Sequence, residues 1–267
     1  MEKSADRLSV DFEGIGHSFP EDISSWRVRE SQLHDPRRKK DYNRQLFSIV
    51  APRYDAVTRV LSAGSDRRWK RRILRMLPSR VSSAALDIAT GTGDIAEALA
   101  TKYPNTRIIA LDLNPEMLVR AKARLRRFAG RIDILEADMA EMPLETASVS
   151  VVTGGYALRN APALTNAVSE IARVLVPGGR AVFLEFSRSP HPIVFALQFR
   201  LLRFWGQLWG LLLHGDPEVY AYIARSLSHF PDRNHFHTIL ENCGLDVMRS
   251  TKLYLGLLEL TVARRRR

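Results

Sequence analysis

Leu86-Asp87-Ile88-Ala89-Thr90-Gly91-Thr92-Gly93-Asp94 is an apolar run that ends in an acidic residue and then turns through two glycines. This order is typical of a strand that hands the chain to a helix with a ligand held at the turn. Glycines at 91 and 93 lack the Cβ atoms that would oppose a positive φ or keep a ligand away from the main chain. The stretch therefore predicts a strand, a ligand-binding turn and a helix.

The charge of this turn separates two classes of ligand. Gly91-x-Gly93-x-x-Ala96 also fits the relaxed fingerprint of dinucleotide sites, whose pyrophosphate lies at the helix N-terminus. Asp87 and Asp94 would set two carboxylates close to that phosphate, where the helix dipole favours an anion. A cationic ligand is the better match, and S-adenosylmethionine (SAM) carries an ammonium and a sulfonium. A structural turn without a ligand is the alternative.

A second apolar run, residues 107–111, ends in Asp112. A carboxylate at this place can accept hydrogen bonds from both hydroxyls of a ribose. The structural alternative is a helix cap, because Asp112 or Asn114 could each cap a helix that begins near Pro115.

Two more apolar runs also end in polar residues. Residues 132–137 lead into Asp138 and Met139, and residues 149–152 lead into Gly155 and Tyr156. Asp138 suits the adenine amino group and Met139 suits the face of its ring. Ligands of open parallel sheets lie beyond the carboxyl ends of the strands, so all these polar endings are predicted to form one site.

Strand-like and helix-like runs alternate over residues 84–187, which predicts a parallel sheet with right-handed crossovers. Helices are predicted over residues 95–103, 115–128 and 163–175. Residues 176–179 form a helix stop and turn that feeds a strand over 181–186. Two more strands, over 246–251 and 256–262, complete an α/β, Rossmann-like sheet of seven strands.

The pattern divides the chain into an extension and one domain. Residues 1–40 lack a sustained period and are interpreted as a variable, partly disordered extension. Residues 41–267 form a single domain that contains a helical cover, a cofactor-binding core and substrate-side helices. These parts span residues 41–80, 84–187 and 190–240, respectively.

Residues 193–213 are rich in Phe, Leu and Trp but contain Arg200 and Arg203. Each arginine would cost roughly 2.5 to 3.5 kcal/mol at a bilayer centre, so the segment is not predicted to span a membrane. It is instead interpreted as an amphipathic helix. Such a helix can rest at a membrane interface, line a pocket for a greasy substrate or pack on the core.

Bulk composition limits the partners and the chemistry. The formal net charge is +11, which suggests an anionic surface nearby, either lipid headgroups or nucleic acid.

Cys243 is the only cysteine, so neither a disulfide framework nor a cysteine-rich zinc site is predicted. His229, His235 and His237 lack the spacing of a metal site, and no metal is implied. The acidic residues among residues 1–40 and the absence of an apolar signal core favour a cytoplasmic protein.

Among enzymes that bind SAM, a nucleic-acid methyltransferase is one alternative, because its substrate would suit the basic surface. Such enzymes typically carry an Asn/Asp-Pro-Pro-aromatic motif after the fourth strand, or a catalytic cysteine for pyrimidine carbons. This chain has Thr153-Gly154-Gly155-Tyr156 at that place, which makes nucleic acid an unfavoured partner.

Several motifs outside the glycine turn carry a family resemblance. They lie at residues 46–55, 61–70, 158–160, 177–180, 184–187 and 220–231. With these motifs the chain resembles the C-methyltransferases of ubiquinone and menaquinone biosynthesis, which are class I SAM-dependent methyltransferases, over residues 44–262. Gly155 stands where the family commonly has serine, Tyr156-Ala157 replaces a Phe-Gly pair, and Thr58 occupies a usual asparagine position. These departures leave the ring substrate open.

The local pattern and the resemblance together give a list of site residues. The predicted cofactor-binding residues are Tyr54, Asp87, Gly91, Thr92, Gly93, Asp112, Leu113, Asp138, Met139 and Gly155. Tyr156 and Tyr222 are predicted to contact the substrate, and simple core packing is the alternative for Tyr54 and Tyr222. Arg159 and Asn160 are the catalytic candidates: Arg159 would stabilise a phenolate or order a water that takes its proton, and Asn160 would fix the ring or the loop. A structural ion pair is the alternative for Arg159.

The resemblance implies methyl transfer from SAM to a carbon of the reduced ring of a prenylated quinone precursor. A demethylmenaquinone-like substrate is favoured over a demethoxy-type ubiquinone precursor or another phenolic or polycyclic molecule. A non-catalytic SAM-binding scaffold in a quinone-biosynthesis assembly is a second reading. The expected partners are a hydrophobic phenol or hydroquinone, an anionic membrane surface on the inner face, and a second copy in a homodimer.

Overall fold

The computed structural model describes residues 35–62, 64–215 and 217–267. The helices are α1 (Pro36–Val50), α2 (Tyr54–Leu61), α3 (Asp66–Met76), α4 (Asp94–Lys102), α5 (Pro115–Leu125), α6 (Leu164–Val174), α7 (Pro192–His214), α8 (Glu218–Ser228) and α9 (Arg233–Asn242). The strands are β1 (Ala84–Ile88), β2 (Ile108–Asp112), β3 (Ile132–Glu136), β4 (Val149–Gly155), β5 (Leu175–Phe186), β6 (Leu245–Leu253) and β7 (Leu258–Arg265).

The strands form one sheet in the order β3-β2-β1-β4-β5-β7-β6. β1 to β5 are mutually parallel, and β7 is antiparallel to both β5 and β6. The predicted seven-stranded Rossmann-like sheet is confirmed. Because the order reverses beside β1, the carboxyl ends of β1 and β4 border the crevice where open α/β sheets hold ligands.

Apolar side chains cover both faces of the sheet. One cluster joins Ile73 of α3 and Leu99 of α4 to β1 and β2, and the other joins Ile171 of α6 and Leu240 of α9 to the opposite face. The central strands are buried on both sides, which explains why they are continuous apolar runs rather than alternating ones.

The N-terminal helices α1 and α2 pack with α5 and α8 in a third apolar cluster that includes Leu46, Val57, Met117 and Tyr222. α1 begins at Pro36, before the predicted boundary at residue 41. Asp35 caps this helix by accepting from the backbone N–H groups of Arg37 and Arg38, and proline at the first helical position suits the start. Residues 1–34 of the predicted extension lie outside the described residues.

The turn predicted at 176–179 is a bulge inside β5. Leu175 pairs with Val149 and Arg180 pairs with Val151, so the residues between them loop out of the ladder. Gly178 has a φ of 78°, and a Cβ on Gly179 would lie 2.8 Å from the carbonyl oxygen of Val176. The glycines therefore bend the strand rather than precede it.

Candidate functional site

A cavity that several polar and charged side chains line, called the polar cavity below, lies where β1, β2, β3 and β4 end. Many of the predicted site residues line it, namely Tyr54, Gly91, Asp112, Leu113, Asp138, Met139, Gly155, Tyr156, Arg159 and Asn160. The structure brings these side chains together from separate parts of the chain because parallel strands end at one edge of the sheet.

The two glycines of the turn have different neighbours. Gly91 and Gly93 both have positive φ, 57° and 84°. A Cβ on Gly91 would meet nothing closer than Cε1 of Tyr54 at 3.8 Å, so its open side faces the cavity. A Cβ on Gly93 would lie 3.1 Å from Cδ1 of Leu125 and 3.2 Å from Cβ of Ala121. Gly93 therefore serves the packing of α4 against α5.

Asp112 fixes the glycine turn and can still accept further hydrogen bonds. Its two carboxylate oxygens accept from the backbone N–H groups of Gly91 at 2.7 Å and Asn114 at 2.9 Å. The N-cap of α5 is Asn114, which accepts from the N–H of Met117 at 2.9 Å. The carboxylate offers about four lone-pair sites, so Asp112 can still accept from ligand hydroxyls.

Asp138 is already engaged by its surroundings. One carboxylate oxygen lies 2.8 Å from the Nζ atom of Lys40 on α1, and the other accepts from the N–H of Ala140 at 2.9 Å. Met139 beside it is buried and lines the cavity. The cover helix thus supplies a cation at the adenine position that was predicted from the sequence.

Three predicted cofactor residues do not line the cavity: Asp87, Thr92 and Gly93. Asp87 is buried in β1 and accepts from the hydroxyls of Thr90 at 2.6 Å and Thr153 at 2.7 Å. Burial raises the pKa of its carboxyl to about 7, although these two hydrogen bonds favour the ionised form. Asp87 therefore joins β1 to β4 beneath the turn.

Thr92 and Asp94 face the other side of the turn. The hydroxyl of Thr92 donates to Asp55 of α2 at 2.6 Å, and Arg124 of α5 pairs with the same carboxylate. Asp94 pairs with Lys70 of α3. Asp94, which was expected beside the ligand, does not line the polar cavity, and Lys70 balances its charge. Thr92 instead ties the cover to the turn.

An apolar cavity of about 350 Å³ lies beside the polar one. It is enclosed by side chains from α1, α2, α3, α7 and α8, including the predicted substrate residue Tyr222. Four residues line both cavities: Phe47, Tyr54, Tyr156 and Arg159. These four form a wall that a group must cross to pass from one cavity to the other.

Arg159 is buried in this shared wall. Its guanidinium lies 3.5 Å from a carboxylate oxygen of Glu185 and rests over the ring of Phe186 at 4.9 Å. Its Nε atom has no hydrogen-bond partner, and neither has the hydroxyl of the neighbouring Tyr156. Burial raises the pKa of Glu185 to about 7, while the charge of Arg159 opposes that shift. Arg159 therefore forms an ion pair with Glu185 and also lines both cavities.

Tyr156 adopts a positive φ of 59°, which is uncommon for a bulky residue. Its N–H donates to the carbonyl of Leu184 at 2.7 Å, and its ring lies 5.5 Å from that of Phe186. Ala157, which replaces the glycine of the Phe-Gly pair, has a φ of −88°, so the left-handed conformation lies at Tyr156 and not at the glycine position.

Asn160 belongs to a hydrogen-bonded group around Tyr222. Its side-chain N–H donates to the carbonyl of Tyr156 at 3.0 Å, and its carbonyl accepts from the Tyr222 hydroxyl at 3.1 Å. Asn43 of α1 joins them by donating to the backbone carbonyl of Asn160 at 2.7 Å. This network locks the loop after β4 to α1 and α8.

The sequence reasoning did not identify Phe47, Asn43 or Glu185 as site residues. Glu185 carried a signal, because it is a single acidic residue in an apolar strand. Phe47 and Asn43 carried no such signal apart from their place in a helix with an apolar face. Their role depends on how α1 crosses the strand ends. In the described part of the chain, no three His, Cys, Asp or Glu side chains are grouped so as to hold a metal ion.

Solved structures share this architecture. A SAM-dependent methyltransferase from Aquifex aeolicus superposes with a TM-score of 0.53 at 15% identity, covering 73% of this chain and 89% of that chain. Geranyl diphosphate C-methyltransferase from Streptomyces coelicolor superposes with a TM-score of 0.57 at 14% identity, covering 75% and 79%. The chain thus has the fold of class I SAM-dependent methyltransferases.

Sequence comparison narrows this class to one family. The model of the ubiE/COQ5 methyltransferase family matches residues 36–264. A ubiquinone/menaquinone biosynthesis C-methyltransferase UbiE from Syntrophotalea carbinolica is 35% identical over 83% of this chain and 95% of the relative. A demethylmenaquinone methyltransferase from Thermus thermophilus is 34% identical over 76% and 92%. The chain belongs to the ubiE/COQ5 methyltransferase family.

Proposed function

We propose that this enzyme transfers a methyl group from SAM to a ring carbon of a reduced, prenylated quinone precursor, with a demethylmenaquinone-like naphthoquinol as the favoured substrate. The observation that carries the proposal is the wall shared by a polar and an apolar cavity. A polar methyl donor and a greasy acceptor can meet only where two such cavities adjoin. The names of the Syntrophotalea and Thermus relatives support the quinone class.

The residues of the polar cavity fit SAM. Gly91 leaves open space for a ligand against the main chain, and Asp112 retains lone pairs for a ribose. Asp138 and Met139 border the position of an adenine. When bound, SAM supplies an electrophilic methyl group on a positively charged sulfur. The cavity has a volume of about 80 Å³, so it must widen to hold a ligand of this size.

The apolar cavity fits a ring with an attached isoprenoid chain. Leu46, Val50, Val57, Leu202 and Ile223 are among the side chains that line it. A cavity of about 350 Å³ lies within the range of small-molecule sites. Its apolar lining favours a hydrocarbon tail and leaves few polar groups to orient the ring, among them Arg159 and Tyr222.

Arg159 is proposed to stabilise the ionised ring hydroxyl. Carbon methylation requires an electron-rich carbon, and loss of the phenolic proton to a water molecule raises the electron density at the adjacent ring carbon. Once that carbon carries the methyl group, it gives up its own proton to water and the aromatic ring is restored. The guanidinium stays protonated and is a poor direct base, so a charge-stabilising or water-ordering role is assigned to it. Arg159 lines both cavities, so its guanidinium is the cation assigned to that oxygen.

Asn160 is proposed to hold this loop in place rather than to take part in proton transfer. Its hydrogen bonds to Tyr156 and Tyr222 fix the backbone that carries Arg159. Alignment of donor and acceptor can supply roughly 7 to 11 kcal/mol in favourable intramolecular models. The network of Asn160, Tyr222 and Asn43 therefore supports positioning, which is the main demand of the reaction.

We place the enzyme on the cytoplasmic side of a membrane, as a peripheral protein, because its proposed substrate carries a long isoprenoid chain. In the described part of the chain, no helix is long and apolar enough to cross a bilayer. The net charge of +11 supports contact with anionic headgroups. Nucleic acid remains an unfavoured partner.

A product assay tests the proposal. Purified protein, SAM labelled with ¹³C in the methyl group, and chemically reduced demethylated naphthoquinone or benzoquinone are incubated together. The mass of the product, its ¹³C shift and the S-adenosylhomocysteine formed are then measured. We expect one methyl on a ring carbon, with the naphthoquinol turned over faster. Methyl on oxygen, or SAM binding without any turnover, would contradict the proposal, and the latter outcome would favour the scaffold reading.

A further inference from the structure

Helix α7 carries an apolar stripe that the rest of the described chain leaves exposed. In the described part of the chain, twelve large apolar side chains are exposed, and nine of them lie on α7. The stripe comprises Ile193, Val194, Leu197, Leu201, Phe204, Trp205, Leu208, Leu211 and Leu212. Its members recur at intervals of three and four residues, so they share one face of the helix over most of its length. Patches of this size mark interaction surfaces.

The stripe adjoins the mouth of the apolar cavity. Leu201 and Trp205 belong to the stripe and also line that cavity, with exposed fractions of 56% and 37%. Tyr254 also lines the cavity and is 51% exposed, so it too borders the opening. Its ring meets that of Trp69 at 4.8 Å. The route into the substrate cavity therefore starts at the apolar stripe.

Basic residues border this surface, and α7 itself contains no aspartate or glutamate. Arg200 and Arg203 of α7 are exposed beside the stripe. Arg68 and Arg72 of α3 lie close enough to Tyr254 for their charges to act on its hydroxyl. An apolar helix face with a basic border fits an anionic lipid surface, where the apolar side chains enter the headgroup boundary and the arginines meet phosphates.

We propose that the α7 stripe seats the enzyme on an anionic phospholipid bilayer and that the isoprenoid tail of the substrate enters the apolar cavity sideways, between α7 and Tyr254. The identity of the tail rests on the proposed function, whereas the docking surface does not. A symmetric contact with a second copy fits less well, because it would bring the arginines of both α7 helices together without an acidic partner on either helix.

Leu197→Glu combined with Phe204→Glu tests the stripe. Both side chains are exposed, at 68% and 65%, and neither lines the cavity. The matched control is Val119→Glu combined with Met248→Glu, which adds the same charge at exposed apolar positions on α5 and β6. Binding is measured by co-sedimentation with phosphatidylcholine vesicles that contain or lack phosphatidylglycerol. Turnover is measured on a water-soluble naphthoquinol with a short side chain and on a long-chain naphthoquinol in vesicles.

Wild type and the control are expected to bind the phosphatidylglycerol vesicles and to turn over both substrates. The stripe variant should lose vesicle binding by about tenfold or more. It should also lose turnover of the long-chain substrate, yet keep turnover of the short-chain substrate within about twofold of wild type. Equal vesicle binding by the stripe variant and the control would overturn the proposal.

Light scattering tests whether a second copy of the chain, rather than a bilayer, covers the stripe. A wild-type dimer that binds no vesicles, and that the stripe variant splits into monomers, would assign the stripe to a second copy instead. If neither quinol is methylated by wild type, the proposed function fails, and the vesicle assay still decides the docking surface because it needs no turnover.

Discussion

Two glycines that are separated by one residue are constrained by different parts of the molecule. Gly93 is held by the packing of α5, since any Cβ there would contact Leu125 and Ala121. Gly91 meets no side chain closely and borders the cavity. The sequence predicted both glycines at the turn, but it could not assign a reason to each, because the reason lies in a helix about 30 residues away in the chain.

Gly91→Ala and Gly93→Ala should therefore fail in different ways. Both have positive φ, so each is expected to lose about 1 to 2 kcal/mol of stability. Gly93→Ala should lose about 1 to 3 kcal/mol more because its Cβ crowds α5. Gly91→Ala should instead raise the Kd for SAM by about tenfold. Urea unfolding and calorimetric titration measure these effects. Equal losses of stability in the two variants would show that the turn is not built as described.

Arg159→Lys tests the charge-stabilising role of the buried guanidinium. Lysine keeps a cation beside Glu185 but loses the planar fork and the Nε donor. We expect kcat to fall by roughly 100- to 1000-fold while the Kd for SAM stays unchanged. Arg124→Lys, in the ion pair with Asp55, is the matched control and should keep kcat. Unchanged kcat in Arg159→Lys would leave Arg159 as a structural ion pair.

Asp87 gives a pH-dependent contribution to stability whose sign follows from its environment. Burial raises the pKa of Asp87 from 3.8 to about 7 in the folded protein, so the folded chain binds this proton more tightly than the unfolded chain does. The contribution is complete below the unfolded pKa and is lost as the pH rises toward the folded one.

Asp87→Asn mimics the protonated form at every pH. Between about pH 5 and about pH 8, the stability of the variant relative to wild type should rise by an amount of order 1 to 4 kcal/mol. The free energy of unfolding in urea at the two pH values measures this difference. Glu185 titrates in the same direction but is present in both proteins, so it cancels. A relative stability that is flat, or that falls with pH, would contradict the buried state of Asp87.

At the scale of elements, the local patterns predicted most of the sheet. Burial on both faces makes the central strands continuous apolar runs, and β2 ends at Asp112, where its run stops. β4 continues past its run, residues 149–152, to Gly155. Residues 176–179 were predicted to form a turn before a strand, whereas they form a bulge inside β5. The sequence shows the glycines, but it does not show that Leu175, which precedes them, already pairs with β4. The contact between α4 and β4 was not predictable, since it depends on how closely α4 packs against the sheet.

Gly155→Ser measures that contact. A Cβ at 155 would lie 2.7 Å from Cδ1 of Ile95 on α4, so the serine that is common in the family is expected to crowd this helix. Because Cδ1 is the end of a flexible side chain that can shift, we predict a loss of only about 0.5 to 1.5 kcal/mol in the free energy of unfolding. Ile95→Val removes the crowding atom, so the loss from serine should shrink by about 0.5 kcal/mol or more in that background. If the losses of stability from Gly155→Ser and Ile95→Val simply add in a double-mutant cycle, the side chain at residue 155 does not contact Ile95.

At the scale of the whole molecule, the site depends on the cover. Lys40 reaches Asp138, Asn43 reaches Asn160, and Asp55 accepts from Thr92, so α1 and α2 are joined to three separate strand ends. The sequence predicted a helical cover, a seven-stranded core and an amphipathic segment. It did not predict the wall of Phe47, Tyr54, Tyr156 and Arg159, because these residues come from three segments that only the folded chain brings together.

A crystal structure of the protein with S-adenosylhomocysteine and a reduced naphthoquinone analogue tests that wall most directly. We predict the nucleoside against Gly91, Asp112 and Met139, the ring in the apolar cavity, and the sulfur facing the ring beside Tyr156 and Arg159. The ring hydroxyl should lie within hydrogen-bonding distance of the Arg159 guanidinium. Density for the ring outside the apolar cavity, or a sulfur that points away from the shared wall, would contradict methyl transfer between these two cavities.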